Sequence, residues 1–228
     1  MENRSIALDG PAGAGKSTLA KMTSKHYGIM YVDTGALYRC IGLFAIRKGV
    51  SSKDEPGVTA LLSDIKLEMA HDKDGVQRML LCGEDVTDDI RLPEVSMYAS
   101  DVSAMIPVRE FLLSLQRGMA EKYDVVMDGR DIGTVIMPDA GLKVFLTATL
   151  ETRAKRRYLE LLEKKVDTTY DEVLKDIGTR DKNDSGRAAA PLKAAEDSIL
   201  LDTTNLSLSE SFETLCGFVD DRLNENEI

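Results

Sequence analysis

A stretch near the start of the chain combines glycine, lysine and serine at a spacing that suits phosphate binding. Residues 10–17, with the sequence GPAGAGKS, match the pattern G-x-x-x-x-G-K-[ST] at every position. The glycines of this pattern let the backbone bend so that its N–H groups point at phosphate oxygens. We expect a nucleoside triphosphate to be bound by the residues of this stretch and the one that follows it. They are Gly10, Pro11, Ala12, Gly13, Ala14, Gly15, Lys16, Ser17 and Thr18.

Two side chains of the stretch suit particular parts of such a nucleotide. The ammonium group of Lys16 would reach the β- and γ-phosphates, and the hydroxyl of Ser17 would bind Mg²⁺. The loop therefore predicts a bound nucleoside triphosphate with Mg²⁺. It does not identify the group that receives the phosphate.

The flanking residues support this prediction. Residues 5–9 form a short apolar run with the composition of a buried parallel strand. A helical pattern begins directly after the loop at residues 18–22, and a helix N-terminus adds positive potential where phosphate would lie. The alternative is a glycine-rich turn before an ordinary helix, which this order of strand, loop and helix disfavours.

Lysine and arginine are concentrated in one later segment. Residues 153–187 contain ten of the 29 basic residues, although the chain as a whole is acidic. Three of them stand at helical spacings on one face: Arg153, Arg156 and Arg157. For the segment alone, a solvated helix whose arginines pair with Glu160 and Glu163 is an equally good interpretation. In a chain that also has a phosphate-binding loop, we favour a mobile, arginine-bearing lid over the γ-phosphate. Arg180 and Arg187 follow, around a turn-rich segment at residues 181–186.

Charged side chains also follow two other predicted strands. Residues 128–131 (DGRD) come just after a buried strand, where Asp128 can hold a Mg²⁺-bound water and Arg130 can bind an acceptor phosphate. The alternative, a glycine turn with solvated charges, is disfavoured because sites in parallel sheets lie at the carboxyl ends of strands. Residues 33–39 (DTGALYR) occupy a similar place; Arg39 either faces the central cleft or only follows a capped helix start. Both Asp33 and Asp128 are candidates for the carboxylate near Mg²⁺.

Strands and helices alternate along most of the chain. Parallel strands are expected at residues 5–9, 29–32, 125–128, 143–147 and 198–202. Helices are expected at residues 15–26, 34–49 with Thr34 as the cap, 93–105, 108–123, 151–165, 169 toward 180, and from 207. This alternation predicts an α/β fold of three layers, in which helices cover a central parallel sheet.

One region departs from this alternation. Residues 65–69 and 76–81 alternate apolar and polar side chains. Turn residues lie between the two segments at Asp74-Gly75 and after the second at Gly83-Glu84. The pattern is typical of a small antiparallel sheet. We expect this sheet to be an insert within the α/β frame.

Composition limits the classes of partner. The 228 residues carry a formal net charge of −10, which argues against a duplex nucleic-acid partner. Three cysteines, Cys40, Cys82 and Cys216, have no metal-like spacing and suit reduced thiols. No apolar stretch has the length of a signal peptide or of a membrane span. We expect a cytoplasmic monomer with small-molecule substrates and with no nucleic-acid or membrane partner.

Four segments together resemble the bacterial cytidylate kinases. They are residues 10–18, 33–39 and 128–135 (DGRDIGTV), and the pattern R-x-x-x-P-L at residues 187–192. The resemblance covers essentially the whole chain, and the second and third segments are far more specific than the phosphate-binding loop. It implies a P-loop nucleoside monophosphate kinase. Such an enzyme transfers the γ-phosphoryl group of ATP to CMP or dCMP, giving CDP or dCDP, with Mg²⁺.

The resemblance also implies roles for single residues. Positions that hold the phosphate and ribose region of CMP correspond to Thr34, Arg39 and Arg130, and Tyr38 is included in the acceptor set. Positions that recognise the edge of cytosine correspond to Ser100, Arg109 and Asp131. Positions on the lid side, near the acceptor sugar and phosphates, correspond to Arg180, Asp184 and Arg187.

The implied organisation has three parts. The core comprises residues 1–35, 105–150 and 190–228; the CMP-binding part comprises about 36–104, with the insert at about 60–92; the lid comprises about 151–189. The acceptor phosphate attacks without a general base, because a phosphate oxygen is already a nucleophile. Charge in the transition state is expected to be neutralised by Lys16, Arg130, Arg153, Arg157, Arg180 and Arg187.

Other functions stay open from the sequence. The nearest is another small P-loop kinase that acts on UMP, AMP or a non-nucleotide acid. A nucleotide-dependent switch protein is disfavoured, because the chain lacks an Asn-Lys-x-Asp guanine-binding motif. An inactive P-loop fold would require loss of Lys16 or of the arginine set, and both are present.

Overall fold

The computed structural model describes residues 4–72 and 77–225. Its strands are β1 (Ser5–Asp9), β2 (Met30–Asp33), β3 (Leu67–His71), β4 (Gln77–Leu81), β5 (Glu84–Asp85), β6 (Val125–Gly129), β7 (Leu142–Thr147) and β8 (Ile199–Asp202). Its α-helices are α1 (Lys16–Tyr27), α2 (Thr34–Arg47), α3 (Glu55–Leu61), α4 (Pro93–Val102), α5 (Ile106–Lys122), α6 (Leu150–Glu163), α7 (Tyr170–Gly186) and α8 (Leu208–Glu225).

Five strands form a central sheet in the order β2-β6-β1-β7-β8. The pairs β1–β6, β1–β7 and β7–β8 are parallel, and Leu8 lies opposite Asp128 on one side and Val144 on the other. These strands are apolar along their length because both faces of a parallel sheet are buried. The predicted α/β fold with a central parallel sheet is confirmed.

The chain divides into two compact units, residues 1–31 with 120–228 and residues 32–119. The first unit contains most of the central sheet. Its core includes Leu8, Val144 and Leu146 from the strands, Leu19 from α1 and Leu215 from α8, all almost inaccessible to solvent. The carboxyl ends of β1, β6 and β7 therefore belong to one rigidly packed sheet, on which a site can be built.

The second unit contains the helices α2–α4, most of α5 and a three-stranded antiparallel sheet in the order β3-β4-β5. Its core joins Leu37 and Ile41 of α2, Met79 of β4 and Leu112 of α5. This sheet is the predicted insert, although its first strand begins at Leu67 rather than at residue 65. The predicted turn at Asp74-Gly75 lies outside the described residues, and so does Val76, the first residue of the predicted segment 76–81. Residues 105–119 belong to this unit, whereas the sequence had assigned them to the core.

The helices α6 and α7 form a hairpin within the first unit. Val173 and Ile177 of α7 pack with Ala154 of α6, and Ala12 of the phosphate-binding loop belongs to the same apolar cluster. The prediction of turns at residues 181–186 was wrong, because α7 continues to Gly186. Asp, Asn and Gly each cost a helix about 0.5–1 kcal/mol. The ion pairs that Asp181 and Asp184 form with Arg153 and Arg130 offset that cost.

Local signals fixed several helix ends. Gly28 adopts the left-handed conformation, with φ of 66°, and ends α1 as predicted. Asp33, not Thr34, caps α2, since its carboxylate accepts a hydrogen bond from the Ala36 N–H at 3.0 Å. The sequence analysis did not predict α3 or a single wide helical turn at Ile132–Ile136. Within the described ranges, no helix has the length and apolar character needed to cross a membrane.

Candidate active site

The loop between β1 and α1 has the backbone conformation that its glycines permit. Gly10, Gly13 and Gly15 have φ values of 149°, 74° and 93°, which residues with a Cβ rarely adopt. A Cβ on Gly10 would also collide with the backbone oxygen of Leu146. The loop therefore needs glycine at Gly10 for space as well as for conformation. Of the predicted nucleotide-binding residues, Gly13, Ser17 and Thr18 are exposed.

Lys16 is the first residue of α1 and is buried. Its Nζ donates a hydrogen bond to the backbone oxygen of Pro11 at 2.8 Å, so the side chain folds back over the loop. Burial, followed by the positive charge of Arg130, lowers the pKa of the Lys16 ammonium group to about 7, although three nearby carboxylates act in the opposite direction. An anion at the loop would relieve this cost by restoring a charge partner.

Ser17 and Asp128 lie side by side. The Ser17 hydroxyl donates to Oδ2 of Asp128 at 2.6 Å, and the hydroxyl of Tyr31 donates to Oδ1 at 2.9 Å. Asp128 is buried at the end of β6. The structure thus places a carboxylate beside the hydroxyl that was expected to bind Mg²⁺. Asp33, the other candidate, caps α2 and pairs with Arg39.

Arg130 is bound to the hairpin through Asp184. Nε of Arg130 donates to Oδ2 of Asp184 at 2.7 Å, and Arg187 lies 3.9 Å from the other carboxylate oxygen. Burial raises the pKa of Asp184, but Arg130, Arg187 and Arg180 outweigh it, so the carboxyl titrates below its ordinary range. Two of the predicted catalytic arginines, Arg130 and Arg187, therefore lie beside one carboxylate, and Arg180 is near enough to lower its pKa.

Arg180 differs from its neighbours. Among the residues that the structure describes, no carboxylate lies within ion-pair distance of its guanidinium group, and no hydrogen bond of its side chain is formed. Burial, together with the positive charges of Arg130 and Arg157, lowers its pKa, although Asp176 and Asp184 lie near enough to oppose this effect. A positive group in this setting is suited to an anionic ligand.

The arginines of α6 do not share one environment. Arg153 is buried and donates from Nε to the Ala148 oxygen and from Nη1 to the Ala12 oxygen, each at 2.9 Å. Arg156 instead bonds the hydroxyl and the backbone oxygen of Thr203. Arg157 forms an ion pair of 2.8 Å with Glu160. The segment is helical at all three positions, as predicted, but each arginine makes its own protein contacts, and Arg153 is directed at the loop backbone.

The predicted acceptor residues of the second unit form their own network. Oδ2 of Asp33 accepts from Arg39 at 2.6 Å, and this guanidinium, with the Ala36 N–H, outweighs burial and holds the pKa of Asp33 below its ordinary value. Thr34, which follows Asp33 in the sequence, is buried.

A second contact in this unit involves the face of Tyr38. The Arg109 guanidinium carbon lies 5.7 Å from the centre of the Tyr38 ring, which suits a cation–π contact. Arg109 also donates to the Ser103 oxygen at 3.0 Å. Ser100 is half-buried on α4, one helical turn before Ser103. Asp131, the third residue expected to recognise cytosine, is buried in the first unit.

Sequence reasoning gave no role to Asp9, the last residue of β1. Its carboxylate accepts hydrogen bonds from the N–H groups of Ile132 and Gly133 at 2.8 and 2.7 Å. Burial raises the pKa of the Asp9 carboxyl to about 6, although these bonds oppose the shift. Asp9 thus fixes the turn that follows Asp131. The available signal was an acidic residue at the end of an otherwise apolar strand.

One known protein family matches most of this chain. A sequence model of the family described as Cytidylate kinase matches residues 6–220. The chain belongs to the cytidylate kinase family. The family expected from the four sequence segments is thereby confirmed.

Individual members of the cytidylate kinase family are similar along nearly their whole length. A cytidylate kinase of Caldicellulosiruptor bescii is 50% identical over 212 residues, which cover 92% of each chain. One of Caldanaerobacter subterraneus is 51% identical over 210 residues, covering 91% of each chain. One of Halalkalibacterium halodurans is 45% identical over 223 residues, covering 98% of this chain and 100% of the relative. The similarity therefore includes both compact units.

Proposed function

We propose that the protein transfers the γ-phosphoryl group of ATP to CMP or dCMP, giving ADP and CDP or dCDP. Membership of the cytidylate kinase family supports the substrate class. The observation that carries the reaction type is a set of buried or half-buried cations: Lys16 in the glycine loop, Arg130 near Lys16, and Arg180 near Arg130. Phosphoryl transfer depends mainly on positioning and on neutralising charge, which such a set supplies.

ATP would lie with its phosphates on residues 10–18. The N–H groups at the start of α1 and the glycine-bearing backbone would bind the β-phosphate oxygens. Lys16 would exchange its bond with the Pro11 oxygen for bonds to the β- and γ-phosphates. That exchange returns the ammonium group to a site where its charge is favourable.

Ser17 and Asp128 fit a Mg²⁺ ion, because a hydroxyl and a carboxylate supply the hard oxygen ligands that this ion prefers. Mg²⁺ normally retains several waters and binds few protein groups, so Ser17 would bind directly and Asp128 through water. When bound, the ion would neutralise charge on the β- and γ-phosphate oxygens.

The residues assigned to CMP are Thr34, Tyr38, Arg39, Ser100 and Arg109 of the second unit and, in the first unit, Arg130 and Asp131. Arg39 would bind the phosphate, with the Thr34 hydroxyl and Tyr38 beside it. Ser100, Arg109 and Asp131 combine donors with an acceptor, and such a set distinguishes the exocyclic amine of cytosine from the carbonyl of uracil. Arg180, Asp184 and Arg187 would complete the acceptor side.

In the reaction, an oxygen of the CMP phosphate attacks the γ-phosphorus of ATP in line. The bond from that phosphorus to the bridging oxygen of ADP breaks, and the electron pair stays on ADP. Lys16, Arg130 and Arg180 stabilise the negative charge on the transferring group. The hairpin of α6 and α7 limits access of water, which would otherwise accept the phosphoryl group.

The test is an assay of ADP production with a panel of acceptors at equal concentration: CMP, dCMP, UMP, AMP and shikimate. CMP or dCMP should give the highest kcat/KM. Preference for UMP or AMP would reject the substrate assignment while keeping the reaction class. ADP production that does not depend on any acceptor would reject transfer itself.

We further infer a cytoplasmic monomer that acts in pyrimidine nucleotide metabolism. All three cysteines are free thiols, which fits a reducing compartment. The net charge of −10 supports small-molecule substrates rather than nucleic acid. Sedimentation analysis at micromolar concentration tests the monomer, for which a mass near 25.1 kDa is expected.

A further inference from the structure

Ala12 of the phosphate-binding loop is held at both of its backbone polar groups. Its N–H donates to Oδ1 of Asp181 at 3.3 Å, and its oxygen accepts from Nη1 of Arg153 at 2.9 Å. The same Nη1 lies 2.6 Å from Oδ2 of Asp181. The three residues therefore form a closed ring of contacts, which we name the Ala12 clamp. The sequence separations are 141 and 169 residues, so the clamp joins the loop to the distant hairpin.

Packing reinforces the Ala12 clamp. The Ala12 side chain is buried in the apolar cluster of the hairpin, with Val173 and Ile177 of α7. A Cβ placed on Gly13 would lie 3.1–3.3 Å from atoms of Arg153 and Ile177. Neighbouring residues of the loop are thus in van der Waals contact with the hairpin. A shift of α7 would have to break both the clamp and this packing.

The role of the clamp follows from the order of residues on α7. Arg180, which has no ion pair within the described residues, directly precedes Asp181. Asp184 follows three residues later, about one helical turn, and pairs with Arg130. One helix therefore carries three functional contacts or groups. Asp181 binds the loop, Asp184 binds Arg130 at the end of β6, and Arg180 has no ion pair among the described residues. The position of Arg180 relative to the loop depends on the Asp181 contact.

We propose that Asp181 is a positioning residue, which holds α7 against Ala12 and Arg153 and so places Arg180 over the phosphates bound to the loop. This inference rests on the proposed binding of ATP at the loop, but not on the identity of the acceptor. It assigns Arg153 to the same positioning task rather than to direct phosphate contact. A misplacement of about 1 Å in a reacting geometry can cost about 100-fold in rate.

The test is a double-mutant cycle between Asp181 and Arg180. Asp181→Asn keeps an oxygen for the Ala12 N–H but loses the charge that pairs with Arg153. It should weaken Mg-ATP binding, measured by calorimetry, by about tenfold and lower kcat by a similar factor, whereas KM for CMP at saturating ATP should rise by a smaller factor than the loss of ATP affinity. In an Arg180→Ala background, Asp181→Asn should change the same two quantities less than twofold. Asp171→Asn, the matched control, removes an exposed carboxylate from the same helix and should leave all of these values unchanged.

Three results would overturn the inference: normal ATP affinity and kcat in Asp181→Asn, equal losses with and without Arg180, or a loss of CMP affinity larger than the loss of ATP affinity. If Asp181→Asn does not fold, as judged by circular dichroism, Arg153→Lys takes its place in the cycle and the same outcomes apply. Wild-type protein that binds ATP but does not phosphorylate CMP would reject the proposed acceptor alone. The cycle in ATP affinity would still decide the role of Asp181.

Discussion

Nucleotide binding should take up a proton near neutral pH, and Lys16 is the group that should take it. Burial and the charge of Arg130 lower the pKa of Lys16 to about 7 in the unliganded protein. The triphosphate adds several negative charges within reach of Nζ, which raises the pKa of the ammonium group well above 7. Lys16 is therefore protonated in the complex, whereas in a fraction of the free protein molecules it is neutral.

The size of the effect follows from that pKa. At pH 8 about one tenth of the Lys16 side chains are protonated in the free protein, so binding should take up about 0.9 proton. The contribution of Lys16 to this uptake should fall to about 0.1 proton at pH 6. Because ATP binds the form with charged Lys16 more tightly, the affinity should decrease by up to about tenfold between pH 6 and pH 8.

Calorimetry of Mg-ATP binding in two buffers with different ionisation enthalpies measures the uptake directly. At pH 8 the apparent binding enthalpy should differ between buffers in proportion to about 0.9 proton. The control is Lys16→Met, whose side chain has a similar length but no ionisable group. This variant should take up almost no proton on binding Mg-ATP. Wild-type uptake below about 0.2 proton at pH 8, or the same uptake in Lys16→Met, would refute the reasoning.

Four further outcomes are expected. Lys16→Ala should lower kcat more than about 100-fold while the circular dichroism spectrum is retained; near-normal turnover would remove the loop from the mechanism. Asp131→Ala should raise KM for CMP more than KM for ATP in steady-state assays, and equal increases would contradict its assignment to the base. Asp128→Asn should raise the Mg²⁺ concentration needed for half-maximal rate, and an unchanged Mg²⁺ titration would exclude Asp128 from the ion's surroundings. Leu112→Ala should lower the free energy of unfolding by about 3 kcal/mol in urea denaturation, since Leu112 is fully buried; a loss below about 1 kcal/mol would show that the second unit repacks around it.

The fold was largely predictable because its signals are local. Apolar runs identified the strands of the central sheet, and Gly28 identified the end of α1. The end of α7 was not predictable in the same way. Residues 181–186 have low helix propensity, and their helical conformation depends on Arg153 and Arg130, which come from distant segments.

The sequence proposed the residues of the candidate site but did not distinguish the environments in which their side chains lie. Arg153 and Arg180 have the same side chain and lie in the same basic segment, so the sequence treated them alike. The structure buries Arg153 against the Ala12 oxygen and leaves Arg180 without an ion pair among the described residues. Asp9 was placed at the carboxyl end of a strand but was given no role, because its partners, the N–H groups of Ile132 and Gly133, are more than 120 residues away.

Local sequence was enough to predict the phosphate-binding loop, the alternation of strands and helices, and the family. These features depend on backbone conformations and spacings within a few residues, such as the positive φ of Gly13 and Gly15. Long-range contacts, in contrast, give the arginines different environments: Arg153 binds the Ala12 oxygen of the loop, whereas Arg180 forms no ion pair with the described residues. For Arg153 the deciding contacts are with Asp181 and with the Ala12 oxygen, which are its neighbours in space but not in sequence.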